Sequence, residues 1–429
     1  MCMIVVNGGK PLSGEVGISG AKNACLPIIA ATLLNEQPVT LHNVPRLDDV
    51  KFMGELISIL GASSDGASTS NTVAINAADV NITEPPYEVV KKMRASFLVL
   101  GPLLARFGRA SVPLPGGCAI GQRPVGEHLA ALRALGAEVR QEAGRIIAQA
   151  DRLVGTDIYL NVSSVGATEN ALMAAALAEG QTTIHNAAEE PEVVDLCRFL
   201  TRCGVKIEDT GTKSITIHGQ SRISAAVEYS VIPDRIEAGT YLLAIIATGG
   251  SGRIAHVVPE HLEALLFKLR ECGVQIETGD DWINVDSPAV LKPATVRTEV
   301  FPGFPTDLQP QMTAVLTQAD GVSTVIETIF ESRMNTVPEL RRMGAKMRVS
   351  DGTVVIEGRP GCLTGVPVEA HDLRGAATMV IAGLAAQGQT RIEGLQHLLR
   401  GFESMPEKFA ALGGDVTFEH GKHAKTAEE

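Results

Sequence analysis

One signature recurs six times along the 429-residue chain and restricts what it can fold into. An apolar residue or cysteine is followed by glycine, then a small residue, then a β-rich run. It appears at Leu60-Gly61-Ala62, Leu135-Gly136-Ala137, Cys203-Gly204-Val205, Cys272-Gly273-Val274, Met343-Gly344-Ala345 and Leu412-Gly413-Gly414. The glycines stand about 70 residues apart and the units account for nearly the whole chain, which marks a repeat architecture. Glycine suits the position because the residue just past a helix end often takes the left-handed conformation.

Each unit has the same internal order, β-α-β-α-β. In the third, 167–179 reads as an alanine-rich helix, 182–185 as a strand, 192–203 as a second helix and 205–208 as the next strand. The fourth repeats this over 236–247, 252–258, 260–272 and 274–277, and the fifth over 308–317, 322–327, 337–343 and 346–349. The first helix of each unit is almost free of charge, and a helix apolar all round is buried. The second carries charge at positions such as Glu192, Asp195 and Arg198, and is predicted to lie outside with that face in water. These units predict an α/β chain of two domains, three repeats each, with helices inside and sheets outside. The boundary is expected in the short extended stretch 229–234, and strand material within 5–18 is expected to complete the far domain. That gives domains over 22–231 and over 1–21 plus 232–429, joined by a two-strand hinge able to close over a ligand. The polar tail from Glu419 is expected to fray.

Composition excludes several function classes. A net charge of −12 argues against a general polyanion binder, and 4% aromatics against base-stacking platforms. Nucleic acid is therefore not an expected partner. A ring-shaped DNA clamp of six repeats would need a basic inner ring rather than isolated cations. Seven cysteines without a Cys-x-x-Cys pair fit reduced thiols in the cytoplasm, and neither a metal site nor a cofactor is expected. No apolar run approaches the ~20 residues that span a bilayer, so no membrane insertion is expected. Asp48-Asp49 and Asp280-Asp281 look like metal ligands only superficially, since no third ligand stands at a binding spacing.

The chemistry concentrates in 113–128, where Gly116, Gly117 and Gly121 surround Cys118 and Arg123 follows. Glycine costs about 0.5–1 kcal/mol against alanine inside regular structure, so this run favours a loop that a ligand can approach. It reads either as a reactive thiol beside a cation or as a glycine-rich connector with an incidental cysteine. Elsewhere the polar residues stand at helix starts: Lys22-Asn23 on the first inner helix, Arg94 on the second, Asp307 on the fifth and Arg374 on the sixth. Arg400 sits where unit six turns toward its outer helix. Helix N-termini favour anions, so these starts could converge on one cleft. The alternatives are solvated arginines and, for Asp307, a helix cap. Cys197, Cys203 and Cys272 read as packing residues.

Seven stretches together identify a resemblance. They are Ser-Gly-Ala-Lys-Asn-Ala (19–24), Lys-Met-Arg-Ala-Ser (92–96), Pro-Gly-Gly-Cys-Ala-Ile-Gly-Gln-Arg-Pro (115–124), Ser-Val-Gly-Ala-Thr-Glu-Asn (164–170), Phe-Pro-Thr-Asp-Leu-Gln (304–309), Phe-Glu-Ser-Arg (330–333) and Asp-Leu-Arg-Gly (372–375). Over essentially its full length the chain resembles the enolpyruvyl transferases, specifically the UDP-N-acetylglucosamine 1-carboxyvinyltransferase family. The resemblance implies an inside-out αβ barrel of two three-repeat domains. It implies transfer of the enolpyruvyl group of phosphoenolpyruvate to the 3-hydroxyl of UDP-N-acetylglucosamine, with release of phosphate through a tetrahedral intermediate. That reaction is the first committed step of peptidoglycan precursor synthesis. By motif match Cys118 is the acid and Asp307 the base, while Lys22, Arg123 and Arg400 grip the phosphate and carboxylate of phosphoenolpyruvate, with Arg374 near that pocket. Asn23, Arg94, the 123–127 segment (Arg123, Pro124, Val125, Gly126, Glu127), the 162–165 segment (Val162, Ser163, Ser164, Val165), Asp307 and Ile329 map onto contacts to the nucleotide sugar, and Arg333 is implied to bind substrate. The two small-molecule substrates are the only partners implied. An epoxide such as fosfomycin is expected to alkylate Cys118.

Two departures touch the acceptor end: Gly126-Glu127 stands where the family commonly has aspartate followed by a residue such as leucine, and Val162 where some members have lysine. They make a sibling transferase with another nucleotide acceptor the nearest rival. 5-Enolpyruvylshikimate-3-phosphate synthase shares the fold but lacks the Gly-Gly-Cys-Ala loop. A catalytically idle paralogue would show drift at Lys22, Cys118, Asp307 or Arg374, and none is seen.

Overall fold

The six glycines of the repeat signature all take positive φ: 108° at Gly61, 95° at Gly136, 100° at Gly204, 92° at Gly273, 109° at Gly344 and 75° at Gly413. Each ends an outer helix, as Gly204 does after Pro191–Arg202 and Gly273 after Glu263–Glu271. A side chain there would meet the steric cost of left-handed backbone, which is why one residue type recurs. This computed structural model describes residues 2–65, 70–114 and 124–420.

Two compact units are present among the described residues, one comprising 20–65, 70–114 and 124–232, the other 2–19 and 233–420. Each holds three sheets. In the first, Lys206–Glu208, Ser214–His218, Gln181–His185 and Asp157–Tyr159 form one, and Val227–Ser230, Val39–His42, Val73–Asn76 and Ser63–Asp65 another. Arg109–Pro113, Arg145–Gln149 and Glu138–Glu142 complete the third. In the second unit, Cys2–Asn7 lies inside a sheet between Gln389–Glu393 and Asp415–His420, pairing Ile4 with Ile392 and with Phe418. Ser13–Gly17 runs parallel to Ser251–Ala255 at the edge of another.

The helices that follow the motif starts are buried. Every residue of Arg235–Ala247 is buried, as are eleven residues of Leu373–Ala385, and these two pack against each other and against Gln309–Leu316. In the first unit Leu100–Phe107 packs on Val165–Ala175, while Lys22–Ala31 reaches them through the short 3-10 turns Thr32–Leu34 and Arg94–Val99. Full burial of one leucine or isoleucine is worth about 1.5–3 kcal/mol, whereas an exposed ion pair contributes about 0–1 kcal/mol. The inner helices, rather than surface pairs such as Lys92–Glu55, therefore hold each unit together.

Three expectations need correction. The sheets do not close into a barrel: each is an open set of three or four strands, ending in edge strands that pair no further within it. Glu192 and Asp195 do not face water but are 3% and 1% exposed, because the helix Pro191–Arg202 packs against Lys22–Ala31 and carries its carboxylates inward. Arg198 is exposed. The tail is still paired at Glu419 and His420, which oppose Met3 and Cys2, since strand pairing satisfies their backbone; residues 421–429 lie outside the described part.

The crossings between units are fixed by hydrogen bonds on each side. Ala21 N donates to Ile232 O at 2.7 Å, and Asp234 N to Ser19 O at 2.9 Å. Buried carboxylates reinforce both: Glu237 accepts from Ser19 N at 2.8 Å and from Lys408 Nζ at 2.6 Å, and Asp195 accepts from Tyr229 Oη at 2.6 Å and Ile232 N at 3.3 Å. Burial pushes Glu237 up to about 7 and Asp195 up to about 6.

Candidate active site

The inner helices begin in two ways. Ser164, Asp234 and Asp372 cap helices with their side chains, Asp372 Oδ1 accepting from Arg374 N at 2.8 Å and Gly375 N at 3.0 Å. Such caps satisfy N–H groups that the helix itself leaves open. Two other helices are instead entered through 3-10 turns, Arg94–Val99 before Leu100–Phe107 and Thr306–Leu308 before Gln309–Leu316. Arg94 opens the first turn and Asp307 lies within the second.

Asp307 is therefore not a cap. Its carboxylate is held by two arginines: Arg374 donates from Nη2 to Oδ2 at 2.6 Å, and Arg333 donates from Nη2 to Oδ1. The side chains of Arg333 and Arg374 are 2% and 6% exposed, against 26% for Asp307. Two barely exposed cations thus meet one partly exposed carboxylate. Each guanidinium also lies near an aromatic ring, Arg333 at 5.2 Å from Phe330 and Arg374 at 6.0 Å from Phe402. Ile329, 36% exposed, is tied to the same region by its N–H, which donates to Glu327 Oε1 at 2.7 Å. Arg400 follows the helical turn Leu395–Leu398 and is partly buried. His397 on that turn titrates below its usual value, because of burial first and the Arg400 charge second. The second unit thus brings Asp307, Arg333 and Arg374 together, with Ile329 linked to them.

In the first unit, Lys22 opens Lys22–Ala31 and pairs with Asp49 at 3.3 Å, the aspartate being 2% exposed. The Asp48-Asp49 pair is thereby explained: Asp49 turns inward to a lysine, and Asp48 takes Lys51 at 3.2 Å. Asn23 stands beside Lys22, half-buried. Arg94 donates from Nη2 to the Pro124 carbonyl at 3.4 Å, next to Val125, and Gly126 opens the helix Gly126–Ala134. Glu127 in its first turn accepts from Asn161 N at 2.8 Å and Asn161 Nδ2 at 3.2 Å. That contact fixes the segment that continues into Val162, which is 63% exposed, and Ser163, whose hydroxyl donates to Ala187 O at 3.3 Å. Ser164 caps Val165–Ala175. Below them Asn170 Nδ2 donates to His128 Nδ1 at 2.8 Å while its Oδ1 accepts from Gly101 N at 2.8 Å, locking three helices in register. The departure at Glu127 is therefore a structural tie to the departure at Val162. Arg94, Pro124–Glu127 and 162–165 are brought together. Cys118 and Arg123 lie outside the described residues.

Sequence reasoning missed Glu327 and Glu237, buried acids with no distinguishing neighbour in sequence, and it named Asp49 and Asp195 without finding their partners. Among the described residues no group of three His, Cys, Asp or Glu could hold a metal, and no helix is long and apolar enough to cross a membrane.

Residues 6–409 match the model of the EPSP synthase (3-phosphoshikimate 1-carboxyvinyltransferase) family, and the chain belongs to that family. Within it, a protein of Carboxydothermus hydrogenoformans named UDP-N-acetylglucosamine 1-carboxyvinyltransferase 1 is 48% identical over 409 residues, covering 95% of this chain and 96% of the relative. A UDP-N-acetylglucosamine 1-carboxyvinyltransferase of Gloeobacter violaceus is 49% identical over 412 residues, covering 96% of this chain and 89% of the relative. Among solved structures, the enolpyruvyl transferase NikO from Streptomyces tendae superposes with a TM-score of 0.87 at 26% identity, covering 97% of this chain and 98% of that one. EPSP synthase from Acinetobacter baumannii shares the fold, with a TM-score of 0.75 at 17% identity over 98% of this chain and 100% of that one.

Proposed function

We propose that the chain transfers the enolpyruvyl group of phosphoenolpyruvate to the 3-hydroxyl of UDP-N-acetylglucosamine and releases phosphate, supplying the first committed precursor of peptidoglycan. The full-length identity of about half to two relatives bearing that name supports the reading. The observation that carries it in the geometry is Asp307, a partly exposed carboxylate aimed by two barely exposed arginines.

The chemistry needs one proton delivered to the methylene carbon of phosphoenolpyruvate and one taken from the sugar hydroxyl. Cys118 gives its proton to the methylene carbon, Asp307 takes the hydroxyl proton, and the sugar oxygen bonds to the adjacent carbon. The resulting ketal phosphate then expels phosphate, which takes the proton held by Asp307, as the new methyl group returns a proton to the Cys118 thiolate and the enol ether forms. Lys22, Arg123, Arg374 and Arg400 bind the anionic groups of phosphoenolpyruvate. Asn23, Arg94, the segments 123–127 and 162–165, Asp307 and Ile329 bind the nucleotide sugar, and Arg333 is a further substrate-binding residue. A charge pair 4 Å apart is worth about 1 kcal/mol in water and about 4 kcal/mol when partly desolvated, so expelling water gives these cations most of their value. The two compact units are the two domains of this enzyme, and the paired crossings at 19–21 and 232–234 are its two-strand hinge. It acts in the cytoplasm, where its substrates are.

A phosphate-release assay with phosphoenolpyruvate and, in turn, UDP-N-acetylglucosamine, UMP and shikimate 3-phosphate tests the reading. Turnover is expected with the first acceptor; turnover only with UMP, or only with shikimate 3-phosphate, overturns it.

A further inference from the structure

Glu327 follows the strand Gly321–Ile326 and is 9% exposed. Four donors fill its carboxylate. Oε1 accepts from Thr298 Oγ1 at 2.9 Å, Ile329 N at 2.7 Å and Phe330 N at 3.1 Å, and Oε2 accepts from Thr306 Oγ1 at 3.0 Å. Thr298 Oγ1 in turn accepts from Thr328 N at 2.9 Å, so one carboxylate sets the backbone of 328–330. On its other side, Thr306 gives Glu327 its only hydroxyl proton, which turns the oxygen's lone pairs toward Arg333 Nε at 3.4 Å. Arg333 then donates from Nη2 to Asp307. An unbroken chain of donors and acceptors runs from the amides of 329 and 330 through Glu327, Thr306 and Arg333 to the carboxylate of Asp307.

We propose that Glu327 is a positioning residue that fixes the Ile329 segment and the Asp307 carboxylate together, so that the acceptor's seat and the base that deprotonates it keep one geometry. The inference rests on the roles given above to Ile329 and Asp307. It requires a carboxylate of this length. An amide would direct its NH2 either at two backbone N–H groups or at Thr306, whose proton would then be forced toward the donors of Arg333. Aspartate is one methylene shorter and cannot reach both sides.

The test is steady-state phosphate release by the full chain as wild type, Glu327→Gln, Thr306→Val and the double variant, with thermal unfolding of each. Misplacement of reacting groups by about 1 Å costs about a hundredfold, so Glu327→Gln is expected to lower kcat by about tenfold to a hundredfold. The KM for UDP-N-acetylglucosamine should rise about tenfold, with that for phosphoenolpyruvate changed by less than about twofold. Thr306→Val should lower kcat comparably while leaving the acceptor KM near wild type, because Glu327 still holds 329 and 330. Since both changes cut one chain, the double variant should lose no more kcat than the worse single variant. Multiplying losses in the double variant overturn the proposal. So do losses in Glu327→Gln that match its folded fraction with both KM values unchanged. If Glu327→Gln does not fold, Thr306→Val decides: reduced kcat at wild-type KM supports the coupling, and unchanged kcat overturns it. A wild-type chain that releases no phosphate from this pair overturns the assigned function, and this inference with it; wild-type turnover with either of the other failures overturns the inference alone.

Discussion

Arg374 donates to Asp307 at 2.6 Å across 67 residues of sequence, joining the heads of the fifth and sixth inner helices. With Arg333 on the other oxygen, the carboxylate serves as counter-ion to both cations. Removing one partner of a buried pair costs about 3–5 kcal/mol, and the 26% exposure of Asp307 puts this site toward the lower end. Asp307→Ala is therefore expected to lower the melting temperature in phosphate-free buffer, to recover part of it on adding inorganic phosphate, and to lose kcat by about a hundredfold or more. A melting temperature unmoved by either change would show that the two guanidiniums do not depend on this carboxylate.

Thiol reactivity provides a second check. Burial pushes Cys197 and Cys203 up to about 12 and Cys272 up to about 11, leaving almost no thiolate near neutral pH. Incubation with fosfomycin is expected to add one label, on the peptide carrying Cys118. Peptide mass spectrometry that finds it on Cys197, Cys203 or Cys272, or finds none, removes Cys118 from the mechanism.

The repeat glycines should differ in how much they tolerate a side chain. Gly136, at φ 95°, has nothing within 4 Å of an added Cβ, whereas at Gly344, at φ 109°, that atom would lie 2.7 Å from the Cys362 carbonyl. Backbone strain alone costs about 1 kcal/mol, so Gly136→Ala should lose about that much and Gly344→Ala about 2–3 kcal/mol. Urea unfolding distinguishes them, and equal losses would mean that the carbonyl contact is relieved at no cost.

The crossing carboxylates predict how stability varies with pH. Glu237 is raised from 4.5 to about 7 by burial, with Lys408 opposing, and Asp195 from 3.8 to about 6, also by burial. Between its ordinary and raised values each group binds a proton in the folded state that the unfolded chain has released. Stability from these groups is therefore greatest at low pH and falls as pH rises through about 4 to 7. Glu237→Gln should flatten that decline, read as melting temperature against pH from 5 to 7.5. A slope as steep as wild type would assign the titration elsewhere.

The repeat and its buried helices were legible because period and charge depletion are properties of the sequence itself, and boundaries such as 236–247 against Arg235–Ala247 differ by one residue. Glycine at six helix ends carried the signal through its backbone conformation. The inward-facing acids were not legible. Glu192 and Asp195 read as solvent-facing charge because periodicity cannot tell a carboxylate that meets water from one that meets a tyrosine and a backbone amide. Taken alone, Asp307 could be read as a cap because its partners lie 26 and 67 residues away, and it was the resemblance that marked it as the base. Glu327 gave no signal at all, since its four donors come from three separate segments.

The first strand, Cys2–Asn7, occupies an interior place in its sheet, with neighbours drawn from 389–393 and 415–420. It can be paired on both sides only when those two distant segments are both present. Cutting the chain before 415 would leave one side of that strand open for another polypeptide to occupy, making late truncation an invitation to aggregation.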